Sequence, residues 1–332
     1  MFATRIFTLA FAALLVLPSI ASAQINSGQT RYLGNGMEPV PWQEGYYLPN
    51  IGTADTISVE GGTLYNGYLG GEGRITTANV NSGKLYNGYG YNYYEGYNGV
   101  GKITTLNLNG GTVYNGCIGY YDEDNDLYYN GYGTITTANV KGGTLYNGYE
   151  GGAAGIDSLL LSGGTVINTR WIVNLIYASG TYEGQTGYIT TLTIAGDSTG
   201  VDWGNIGTLQ FADDGSGILS ITAASANGID IAFTNAIQAN SVDLDYGNLF
   251  IDFASMVNEG MEFTLFDLFD TADVFGTLAS LSIGDQQFYG VGTDRAFTYA
   301  NGVWSTDVPE PATLAIIGLG LAGLGLARRR RK

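Results

Sequence analysis

The chain has 332 residues, with 52 Gly, 25 Tyr and 6 Pro, and carries 30 acidic against 13 basic side chains, a formal net charge of −17. Apolar and aromatic residues make up 45% and charged ones 13%, which is enough apolar material for a core, so the glycine reads as turn chemistry in an ordered chain. The acidity argues against a nucleic-acid partner or an anionic membrane surface. The absence of histidine removes the commonest general base and metal ligand, and a single cysteine, Cys117, excludes an internal disulfide.

Residues 1–23 read as a secretory signal: Arg5, an apolar run from Ile6 to Leu17, a break at Pro18, then Ala21-Ser22-Ala23 with cleavage expected after Ala23. Residues 24–52, with Trp42 and Tyr46, are expected to cap the N-terminal end of the body.

Residues 53–195 are repetitive. "EGGTLYNGYL" begins at Glu60, "NSGKLYNGYG" at Asn81, "NGGTVYNGCI" at Asn109 and "KGGTLYNGYE" at Lys141, with a worn copy, "LSGGTVINTR", at Leu161. A second element precedes them: "RITTANV" from Arg74, "KITTLNL" from Lys102, "TITTANV" from Thr134 and "GIDSLLL" from Gly155, with a later copy at Tyr188. From Ile75, Ile103, Ile135 and Ile156 to the second residue of the next glycine pair or its equivalent is always 8 residues, and five more reach the Gly of Asn-Gly in the regular copies. The return to the next Ile takes 8, 15, 19 and 8 residues, so the smallest unit is 21 residues, with insertions of 7 and 11 at one corner. Two short alternating segments per unit, bounded by Gly-Gly and Asn-Gly, are the pattern of strands and tight corners.

A fixed period of this length points to an all-β fold: a single-stranded parallel β-helix, or β-solenoid, with coils of about 21 residues. One coil cannot bury enough apolar surface to stand alone, so coils must stack. Stacking superposes Asn66, Asn87, Asn115 and Asn147 as an amide ladder, with Tyr65, Tyr86, Tyr114 and Tyr146 as a ring stack beside it. Repetition then needs no catalytic explanation. Right-handed crossover is the default for parallel connections. The body is similar, in coil length alone, to autotransporter-passenger-like and pectate-lyase-like β-helices.

Chemistry is best sought in the insertions. Tyr93 and Tyr94 in the first, and Tyr120, Tyr121, Tyr128 and Tyr129 in the second, are candidate glycan contacts through ring stacking. Asp122, Asp124 and Asp126 have the opening spacing of a calcium loop, the one cofactor suggested, but Leu127 stands where that loop needs Gly and Gly133 where it needs a bidentate Glu. Arg74 and Lys102 fall near the same corner. A glycoside hydrolase or lyase there is the competing reading, but no carboxylate pair can be picked out by spacing. No P-loop, nucleophile elbow or zinc motif is present, and the chain is expected not to be an enzyme.

Residues 196–306 keep alternating strand patterns to about residue 253 and then turn Phe-rich, an expected C-terminal cap. Residues 307–332 hold Pro309-Glu310-Pro311, an uncharged run over 312–327 and five closing cations, Arg328 to Lys332. The run is expected to be a short transmembrane helix whose cations stay cytoplasmic. This end resembles the PEP-CTERM sorting signal of Gram-negative bacteria. The resemblance implies recognition by an exosortase, a precursor held at the inner membrane, and export to the envelope, cell surface or extracellular matrix, with exopolysaccharide as an associated polymer. The resemblance says nothing of what the body does; the two targeting ends, together with a body whose repetition is explained by stacking, lead to the expectation of a structural or adhesive surface protein of a biofilm matrix.

Overall fold

Strands form where Ile, Val, Leu and Thr alternate with polar residues, and consecutive repeats pair in parallel. The computed structural model describes residues 20–35, 51–68, 70–90, 99–122, 127–198, 201, 203–227, 230–233, 239–253, 257–269 and 273–307. Among them the architecture is all-β, with one short 3-10 turn at Leu265–Leu268.

Two rows of strands carry the repeat. In the first, Ala54, Ile75, Ile103, Ile135, Ile156, Ile172, Ile189 and Ile206 face one another in unbroken register. All eight are buried. In the second, Leu64, Leu85, Val113, Leu145 and Val166 form a matching buried column. The interior between the rows is therefore a stack of aliphatic layers.

Ile51–Tyr68, Glu72–Tyr89 and Ala153–Asn168 each run through both rows as one long strand. Between the latter two, the coils are split into Val100–Leu108 with Thr112–Asp122, and Tyr132–Val140 with Thr144–Tyr149. The pairings consequently close into a ring of six parallel strands rather than one simple ladder. The long strands turn at the Gly-Gly or Ser-Gly corner, where Gly61, Gly83 and Gly164 have φ of 104°, 84° and 72° and the pairing register shifts before resuming in the second row.

The first-row ladder continues through Trp171–Glu183, Tyr188–Ile194 and Asn205–Phe211 to Ala239–Asp243 and Val274–Phe275. A second, five-stranded sheet runs through Ile218–Asn227, Asn248–Asp252 and Thr277–Ile283. Glu262–Thr264, Ala296–Ala300 and Val303–Asp307 make a small antiparallel sheet. On it Phe263 stacks on Phe297 at 5.0 Å, and Phe253 stacks on Trp304 at 4.9 Å.

Strand Ile20–Asn26 lies parallel on Ile51–Tyr68, and Thr30–Asn35 pairs with the same strand's second half. Tyr32 falls opposite Tyr65 and Leu33 opposite Asn66. Residues 36–50, including Trp42 and Tyr46, lie outside the described residues.

Asn-Gly corners hold the coils at their closest approach. Gly67, Gly88, Gly116 and Gly148 all have φ between 65° and 89°, the left-handed region that glycine enters without steric cost. A Cβ on Gly88 would lie 2.1 Å from the carbonyl oxygen of Tyr132 in a neighbouring coil. Gly88→Ala is therefore expected to cost at least about 2 kcal/mol in urea unfolding, from the handedness penalty and the displaced backbone together. Gly28→Ala, also at positive φ but with open space around it, is expected to cost less.

Candidate functional site

The repeat places its polar residues in columns that the sequence alone only implies. Asn66, Asn87, Asn115, Asn147 and Asn168 stand in the second row, all at 0% exposure. Asn87 donates to Asn115 Oδ1 at 2.7 Å, Asn115 to Asn147 at 2.9 Å and Asn147 to Asn168 at 2.8 Å. Asn66 lies 2.7 Å from Asn87 at the head of the column. Each amide in the middle spends its second hydrogen on a backbone carbonyl, of Thr134, Gly155 or Trp171. The last link is Asn168 to the Tyr182 hydroxyl at 2.9 Å. Among the described residues, no buried side-chain nitrogen or oxygen lacks a partner. A second, shallower column, Asn139 to Asn107 to Asn79, donates in the opposite direction at 3.0 and 2.9 Å.

Beside the buried amides, on the outer face, Tyr32, Tyr65, Tyr86, Tyr114 and Tyr146 stack with centroids 4.8–5.1 Å apart and planes within 11°. Tyr68 and Tyr89 begin a parallel second column, stacked on each other at 5.4 Å and edge-on or tilted to the first. Cys117 occupies the next position of that column, and Tyr149 the one after.

Burial pushes the Tyr86 phenol up to about 12, with neighbouring rings adding to the effect. Tyr65 and Tyr114 are raised chiefly by burial, and Tyr149 chiefly by its hydrogen bond with Glu150. Burial also drives the Cys117 thiol to about 12, so it is an inert buried group and not a nucleophile. Glu72 is held below the usual carboxylate range by its hydrogen bond from Lys102, with Arg74 contributing; both cations sit 2.7 Å from its Oε1. Such exposed pairs stabilise little.

The expected site residues fare unevenly. Tyr120 and Tyr121 pair antiparallel with Tyr129 and Tyr128 in a hairpin built on Thr112–Asp122 and Leu127–Asn130. Asp122 closes the first arm of that hairpin, while Asp124, Asp126, Tyr93 and Tyr94 lie outside the described residues. Among the described residues no group of three or more Cys, Asp or Glu is arranged to hold a metal ion. Ala23 sits within Ile20–Asn26, opposite Ile57. Pro309, Glu310 and Pro311 and the 312–327 run lie outside the described residues, and among those described no helix is long and apolar enough to cross a membrane.

Sequence reasoning missed two parts of the columns. Tyr32 extends the ring stack by one strand, although "TRYLGN" shares only its Thr, Tyr and Gly with "TLYNGY". Tyr182 ends the amide ladder from a position where earlier coils carry Leu or Val.

Residues 307–332 match the PEP-CTERM protein-sorting motif. The chain thus carries the signal of an exported protein whose membrane-anchored precursor is processed by an exosortase. No curated protein and no solved structure matches it.

Two measurements check the columns. Asn115→Ala leaves Asn87 without its acceptor and Asn147 without its donor in a dry interior, and is expected to cost about 2–4 kcal/mol in urea unfolding; Asn109→Ala, on an exposed amide, should change stability by less than about 0.5 kcal/mol. For the phenols, the raised folded-state value means that stability is complete below the ordinary tyrosine value of 10.0 and is lost as pH rises through about 12. Phenolate absorbance should accordingly lag behind that of free tyrosine, and circular dichroism should report unfolding in that same window.

Proposed function

We propose that this protein is an exported, non-enzymatic β-solenoid of the bacterial cell surface or extracellular matrix, delivered by exosortase processing and associated there with exopolysaccharide. In this reading the six-strand ring is the part of the coil stack in which two long strands span both rows. The observation that carries the proposal is the pairing of a sorting motif over 307–332 with a body whose repeated residues are used up in holding coils together. The buried amides bond to one another, the rings stack on one another, and the buried thiol stays protonated. These are the properties of a scaffold. Cleavage after Ala23 fits this reading because it leaves Ile25, 2% exposed, in the core.

The test is made in the native host. Glu310→Ala is expected to leave the chain membrane-associated with its C-terminal segment retained, seen as a higher mature mass than the wild type's. Equal masses and equal locations for the two chains would remove exosortase handling. Incubation of the purified protein with matrix polysaccharides is expected to release no new reducing or unsaturated ends; their appearance would establish an enzyme.

A further inference from the structure

Outside the repeat columns, one outward row changes character along its length. Arg74, Lys102, Thr134, Gly155, Trp171 and Tyr188 occupy the same register position on successive strands. Trp171 is 61% exposed, although an indole is among the costliest side chains to leave in water. On one side Tyr188 packs against it, with ring centroids 5.6 Å apart and planes tilted by 35°. On its other side the register places Gly155, where an added Cβ would meet nothing within 4 Å. Beyond the glycine stands the exposed Thr134. Gly155 therefore leaves one place in the row empty, with an indole on one side and a hydroxyl on the other.

The spacing of that gap is set by the sheet. Thr134 and Trp171 are two strand steps apart, about 10 Å, so a ring inserted midway lies about 5 Å from the indole, within the separation at which flat ring faces stack. Polar groups surround the opening: Asp157, exposed two residues beyond Gly155, and the Tyr132 ring, 44% exposed, one strand below and two residues before Thr134. A flat apolar face ringed by a carboxylate and hydroxyls fits a molecule that is apolar on its ring faces and polyhydroxylated at its rim.

We infer that the Gly155 gap beside Trp171 is a binding slot for one pyranose ring of a neutral polysaccharide. Asp157 at the rim and the net charge of −17 set it against anionic glycans; the two cations farther along the row are already engaged by Glu72. The slot lies on the regular strands, with Tyr132 at its rim only two residues past the hairpin of the second insertion. It deepens the reading of a matrix protein and rests on it for its biological setting.

The experiment uses the full-length chain in detergent, titrated with cellohexaose, mannohexaose and polygalacturonate and followed by indole fluorescence and calorimetry. A neutral hexasaccharide is expected to bind, and Trp171→Ala to weaken it by at least about tenfold. Gly155→Leu fills the gap while keeping the indole and needs no left-handed backbone; it should abolish binding with an unchanged circular-dichroism spectrum, so the test survives if Trp171→Ala misfolds. Absence of neutral-glycan binding, binding indifferent to Gly155→Leu, or a preference for polygalacturonate lost in Lys102→Ala would each overturn the slot. So would Trp171-dependent self-association without glycan binding. The Glu310→Ala experiment reads export alone, so either result can fail without the other.

Discussion

A carboxamide buried in a protein interior is tolerated only when its hydrogen-bonding groups are satisfied. Here five of them stand in a single column, fully buried, and the groups that satisfy them are one another and the adjacent backbone. That requirement dictates much of the regular body. The partner must be the same side chain, one strand step away, in the same rotamer, so every coil must return to the same place in the same register. Apolar columns exchange Leu for Val, as the second-row series from Leu64 to Val166 shows, and Ala for Ile or Leu, as Ala54 beside Ile75 and Ala78 beside Leu106 show. The amide column does not, and for that reason all five copies keep the Asn even where its neighbours change to Ile167 and Thr169.

The same constraint explains where variation is allowed. From the Ile of one segment to the Asn-Gly corner, segment lengths are fixed because both ends are anchored in columns. Beyond the corner the chain is free to leave and return, and loop closure grows only slowly more costly with length. Both insertions fall there, and the second is drawn out as a hairpin. The column also needs ends. At the N-terminal side Leu33 takes the amide's place in the register, so no further donor or acceptor is demanded. At the C-terminal side the Tyr182 hydroxyl receives the last amide hydrogen. Past it the interior turns aromatic, with Tyr177 and Tyr182 packed against Trp203 at 5.0 and 5.5 Å, and the regular two-row repeat gives way to separate sheets.

A body organised in this way has little chemistry to offer. The inward polar groups are neutral amides, burial raises the phenols of Tyr65, Tyr86 and Tyr114 above their usual value, and the thiol is sealed. What it does offer is a rigid outer face with one residue per strand step. On such a face a single substitution, glycine for a side chain, creates a gap of defined width, and the neighbouring indole gives that gap an apolar wall.

The amino-acid sequence by itself determined the all-β class, the 21-residue unit, the inward and outward residues of each segment, the Asn and Tyr columns, and the sorting signal. Those features depend on periodicity, turn chemistry and a linear motif, all local to the chain. It did not disclose that Thr30–Asn35 joins the second row as a further strand, because Leu33 stands where the repeat has Asn and its place shows only once it is paired with Asn66. Nor did it disclose the ring closure through the two long strands, the Tyr182 terminus of the amide ladder, or the pairing of Gly155 with Trp171. These depend on which strand lies beside which at sequence separations of 14 to 32, and side chains brought together by stacking leave no mark in their own neighbourhood of the sequence.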